Sequence, residues 1–139
     1  MEDRRIGLEK VRDRFGLLVV YLFGSRAHDG LRLLEGNPVE KAASDLDVGV
    51  VFAGAGPEPL RLGELQLALE DVFAPLRVDL VPLQKVDPLF QFRAIDGHRV
   101  TASDMTRVNF FELGVMRLAA ELLPVQRQLE RELFGVSTS

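Results

Sequence analysis

Apolar residues follow two different spacings along this chain, and the changes between them outline its elements. Residues 4–15 place Leu8, Val11 and Phe15 on one helical stripe, with Gly16 as the stop. Residues 17–23, LLVVYLF, are apolar without a break and predict a buried strand. A helix is expected over 26–34, weakened by Gly30, and the stretch EGNPVEKAAS that follows is polar and turn-rich. DLDVGVVF, residues 45–52, predicts a second strand, ended by the loop AGAGPEP. Residues 60–73 are amphipathic, with Leu62, Leu65, Leu69 and Val72 on one face and Pro75 as the terminator. RVDLVPL, residues 77–83, predicts a third strand, and residues 87–95 a short helix closed by Gly97.

The last helix is expected to start at Ser103 as N-cap and to carry Val108, Phe111, Val115, Leu118 and Leu122 as its stripe. Pro124 is expected to kink or restart it. The intervening IDGHRVTASD reads as a glycine-containing turn. Strands alternating with helices imply an α/β sheet with helices packed against it.

Composition narrows the class without naming it. A chain of 139 residues suits one domain and buries roughly 68–70% of its unfolded surface. A formal net charge of −4 gives no general attraction for nucleic acid. The absence of cysteine excludes disulfides and thiolate ligands and fits a cytoplasmic protein. The longest apolar run, residues 17–23, is far short of a membrane span, and the charged MEDRRIGLEKVRDRF stretch is not expected to act as a signal peptide.

The chemistry concentrates between residues 23 and 52. Side chains alternate along a strand, so Asp45 and Asp47 face the same way with Cα atoms roughly 7 Å apart, while Leu46, Val48 and Val50 face a core. Two carboxylates on one face repel, and a cation or a shared proton relieves the repulsion. Oxygen donors beside a phosphate-binding turn suit magnesium better than zinc. Gly24 permits close backbone approach to a phosphate, Ser25 supplies a hydroxyl donor, and the following helix start adds free N–H groups. Arg26 either contacts phosphate or pairs with a surface carboxylate. A bland alternative makes Gly24-Ser25 an ordinary strand-to-helix turn.

Gly24-Ser25, a spacer, and Asp45-x-Asp47, with Asp79 in a later strand, together resemble the signature of the nucleotidyltransferase superfamily related to DNA polymerase β. The FGSRA opening, the short length and the VDLV strand are similar to its minimal nucleotidyltransferase branch, whose members often serve as antitoxins to helical HEPN-type toxins. The resemblance runs from residue 17 to about residue 130. It implies an α/β (α+β) nucleotidyltransferase fold, a small mixed sheet flanked by helices and followed by a C-terminal helix. It also implies one domain over 1–139 with an inserted loop at about 35–43. By the same resemblance Asp45, Asp47 and Asp79 hold Mg2+, with Asp79 as third ligand or general base, and Gly24 and Ser25 hold the triphosphate of ATP.

Two features depart from that pattern. Nineteen residues separate Ser25 from Asp45, a longer spacer than the family uses, and a surface loop absorbs the excess at small entropic cost. Arg93 and His98 also match the short Arg-x4-His pattern of HEPN ribonucleases. Those domains are all-helical, whereas three strong strands are expected here, so the match is read as chance. His28 is expected to be a solvated helix residue near the phosphate turn.

The implied activity is transfer of AMP from ATP to a hydroxyl on a cognate HEPN-type toxin, a tyrosine above all. One alternative is a binding module that neutralises its partner by occlusion. Another is transfer to a small molecule, as in aminoglycoside nucleotidyltransferases, for which a homo-oligomer would have to complete the site. Phe90, Phe92, Phe110 and Phe111 are expected to pack on the sheet, or else to serve association.

Overall fold

The computed structural model describes residues 3–40 and 44–135. Its elements run α1 (Arg4–Phe15), β1 (Leu17–Phe23), α2 (Ala27–Leu34), β2 (Leu46–Phe52), α3 (Pro59–Val72) and β3 (Val78–Pro82). A 3-10 turn (Leu83–Lys85) follows, then α4 (Pro88–Ile95), β4 (His98–Ala102) and α5 (Met105–Phe134). The sheet order is β3-β2-β1-β4. β1 pairs antiparallel with both β2 and β4, while β2 and β3 are parallel and joined through α3. This mixed sheet with a C-terminal helix is the expected fold class.

Both faces of the sheet are covered, which is why β1 is apolar at all seven positions and buried throughout. On one face Leu22, Leu46, Val48 and Val50 meet Leu8 and Phe15 of α1, Leu33 and Leu34 of α2, and Leu65 and Leu69 of α3. On the other, Val19, Tyr21, Phe23 and Val51 meet Leu83, Ala94 of α4 and Val108 of α5. Gly30 is in α2 because a Cβ there would crowd Leu22 and Leu46.

Four details differ from the sequence expectation. The stretch read as a turn before the last helix contains β4, an edge strand whose Arg99 and His98 pair with Tyr21 and Leu22. β2 starts at Leu46, leaving Asp45 one residue ahead of the ladder. The N-cap of α5 is Asp104, which accepts from the Arg107 N–H at 3.2 Å; the Ser103 hydroxyl instead reaches Leu18 O. α5 also passes through Pro124 without a break.

The aromatic residues split. Phe90 and Phe111 pack against the core and Phe92 is half-buried, whereas Phe110 is exposed. The long spacer lies between α2 and β2, and residues 41–43 of it fall outside the described residues.

Candidate active site

The candidate residues meet at one end of the sheet, where β1 turns into α2 beside the starts of β2 and β3. Asp47 is flanked in register by Phe23 of β1 and Asp79 of β3. Alternation puts its carboxylate on the face covered by α4 and α5, since Leu46 and Val48 are used for the opposite core. The backbone bond from Leu46 N to Arg77 O, 2.8 Å, fixes the register that sets the two aspartates side by side.

Gly24 follows directly on β1 with φ at +77°, a conformation that favours glycine. Its missing side chain matters as much as its angle. A Cβ there would overlap Oδ2 of Asp47 and stand 3.2 Å from its Cγ. The turn and the acidic strand are therefore parts of one site. Ser25 is exposed, and α2 begins after Arg26 without a side-chain cap, so the Ser25 hydroxyl does not cap the helix.

Burial pushes the Asp47 carboxyl above its ordinary range, and the adjacent Asp79, which is close enough to share a proton with it, pushes it further. Asp45 adds to the same push, while the positive charge of Arg93 opposes it. Asp45 and Asp79 are exposed, and Asp47 is half-buried. All three aspartates thus act on one locus, although among the described residues no three such side chains already converge on a single point. An all-oxygen donor set with mutual repulsion fits a hard divalent cation such as magnesium.

Arg26 is half-buried and pairs with Asp29 at 2.9 Å, which realises the surface-pairing alternative; its Nε is buried without a hydrogen-bond partner among the described residues. Beside it lies a cavity of about 660 Å³ bounded by Arg26, Asp29, Arg32, Pro38, Val39 and Glu40, where the spacer runs past α2. His28 is exposed, as expected, and its ring centroid lies 5.4 Å from that of His98 on β4.

Arg93 is the site residue that sequence reasoning missed. It was noticed only in the Arg-x4-His match, because nothing in a short apolar segment shows which way a helix docks. The signal that would have helped is the alternation of Phe90 and Arg93 one turn apart on a helix that has to cover Phe23.

A family model for polymerase beta nucleotidyltransferases matches residues 9–106. The chain belongs to that family. No curated protein matches it. Among solved structures, it is similar to a mutant form of the toxin–antitoxin MntA–HpeT, with 17% identity over 90% of this chain and 97% of the other and a TM-score of 0.62. It is also similar to a toxin–antitoxin structure with AMP-PNP, at 18% identity, 90% and 97% coverage and TM-score 0.61. A third is the tri-AMPylated Shewanella oneidensis HEPN toxin in complex with MNT antitoxin, at 20% identity, 91% and 95% coverage and TM-score 0.59. At these identities the likeness establishes the nucleotidyltransferase fold. Among the described residues, no helix is long and apolar enough to cross a membrane.

Proposed function

We propose that this protein transfers AMP from ATP to a hydroxyl on a cognate HEPN-type toxin and acts in the cytoplasm as its antitoxin. The observation that carries the reading is the interlock of Gly24 with Asp47 and Asp79, which joins a phosphate-accessible turn to a charge-stressed carboxylate pair. The AMP-PNP and AMPylated-toxin neighbours, matched over about nine-tenths of this chain, support the choice of nucleotide and acceptor.

Magnesium, held by Asp45, Asp47 and Asp79, would supply charge neutralisation at the phosphates and acidify the acceptor hydroxyl. The protein's own groups do the rest. Backbone at Gly24 and the hydroxyl of Ser25 hold the triphosphate against the start of α2. The acceptor oxygen bonds to the α-phosphorus as the bond to the β-phosphate oxygen breaks, and pyrophosphate leaves with that electron pair. The acceptor proton passes to a carboxylate, and the exposure of Asp79 on the edge strand supports that residue in the role.

Transfer of α-labelled ATP to the toxin encoded alongside, in magnesium, tests the reading. Label on the toxin with the wild type and none with Asp45→Asn/Asp47→Asn supports it. A toxin that is bound and neutralised without any label would replace it with occlusion. Label on a small molecule alone would replace it with a small-molecule transferase.

A further inference from the structure

The aspartates and the phosphate turn leave one question of charge balance. A nucleoside triphosphate brings several negative charges to a rim already carrying Asp45, Asp47 and Asp79, and the cation nearest that rim in sequence, Arg26, is paired with Asp29. Helix α4 answers it.

That helix is anchored to the end of β1 at three points. The ring of Phe90 meets Phe23 edge-on at 5.8 Å, Ala94 is fully buried, and Gly97 approaches Leu22 O and the Cβ of Phe23, the latter at 2.9 Å from where its own Cβ would be. Phe23 immediately precedes Gly24 and is the register partner of Asp47. One turn beyond Phe90, the guanidinium of Arg93 lies 6.0 Å from the Phe90 ring centroid and is exposed. Other arginines on this side are engaged: Arg99 with Glu112 at 3.2 Å, and Arg107 with Ala53 O. Arg93 has no carboxylate in ion-pair contact among the described residues, and the helix that carries it is seated on Phe23, the residue before Gly24.

We propose that Arg93 contacts the β- and γ-phosphates of the bound triphosphate and holds the pyrophosphate as it leaves. This rests on the nucleotidyl-transfer reading above. A planar guanidinium presents paired donors that match phosphate oxygens, and its aromatic seat on Phe90 limits the directions it can take. Negative charge grows on the leaving pyrophosphate as the bond to the α-phosphorus breaks, so a fixed cation there favours the transition state. Arg93 stays protonated throughout and transfers no proton.

The test is calorimetric titration of a non-hydrolysable ATP analogue and of AMP, with magnesium, into wild type, Arg93→Gln and Arg93→Lys, with melting temperatures as a folding check. Arg93→Gln is expected to weaken binding of the triphosphate about tenfold and leave AMP binding unchanged, with Arg93→Lys recovering part of the loss. Equal triphosphate binding by Arg93→Gln and wild type overturns the assignment, as does a loss that falls equally on AMP. Wild-type protein that binds neither nucleotide would sink the transferase reading itself, and this role with it.

Discussion

Gly24 and Asp47 share a volume: the place where a side chain on Gly24 would begin is taken by Oδ2 of Asp47. Gly24→Ala therefore does two things at once. It strains a residue held at φ +77°, at a cost of about 1 kcal/mol, and it pushes the Asp47 carboxylate out of line with Asp79. We expect transfer activity to fall at least about a hundredfold, as for other displacements near 1 Å in a reacting site, while the melting temperature drops by only a few degrees. Side-by-side assays of label transfer and thermal melting separate the two effects. Activity within a factor of two of wild type would show that the interlock is packing alone.

The crowding of Asp47 and Asp79 predicts an inverse relation between stability and function. Because burial and Asp79 raise the folded pKa of Asp47, its contribution to stability is complete below the ordinary carboxylate range and is lost as pH rises through the raised folded value. At neutral pH the ionised pair then costs stability that an amide would not. Without divalent metal, Asp47→Asn should melt roughly 1–3 °C above wild type at pH 7.5, and the gap should close toward pH 4. Added magnesium should raise the melting temperature of wild type and not of the variant. A variant less stable than wild type at pH 7.5 would contradict the repulsion.

The side of Asp47 was legible in the sequence because strand alternation sets it opposite Leu46, Val48 and Val50, whereas Asp45 lies one residue ahead of the ladder, where alternation does not reach. β1 and β2 were legible because burial on both faces requires unbroken apolar runs. β4 was not. It is an edge strand of five residues, with His98, Arg99 and Thr101 in its sequence, and one-sided pairing tolerates that polar composition. Arg93 escaped for a different reason: its role depends on the docking of α4 by Phe90 on Phe23, a tertiary contact with no local signature.

On the same face of the sheet, two residues before Phe23, Tyr21 ties three elements together. Fully buried in β1, it donates its hydroxyl to Glu112 of α5, which also pairs with Arg99 of β4 at 3.2 Å. Burial, then the Glu112 hydrogen bond and charge, raise the phenol pKa. A raised folded pKa gives stability that is complete below the ordinary phenol value and lost as pH climbs past it, so alkaline unfolding should set in above roughly pH 10. Tyr21→Phe keeps the packing and loses the bond, at about 1 kcal/mol or roughly 3 °C in melting temperature. The same variant should lose its share of the alkaline sensitivity, which melting curves at pH 8 and pH 10.5 would reveal. An unchanged melting temperature at pH 8 would show that the hydroxyl adds nothing.

The apolar face of α5 outlasts the core it covers. Val108, Phe111 and Val115 pack against the body, and at about 100° per residue Leu118, Leu122, Val125 and Leu129 fall on the same stripe, each at least 38% exposed. Nothing in the helix beyond Ala119 is buried. Continuity with a packed face is what an amphipathic partner surface requires, and the helical toxin of the proposed function would offer the matching geometry. Leu122→Glu/Leu129→Glu should leave the melting temperature within about 2 °C of wild type, because neither side chain is buried in the core. On the proposed function, the same pair should weaken the complex with the cognate toxin more than tenfold, since charge would be buried at the contact. Pull-down and titration against the purified toxin measure this directly. Undiminished binding would move the toxin to another surface, and the site rim formed by α4 and the loop between α2 and β2 would be the next to vary.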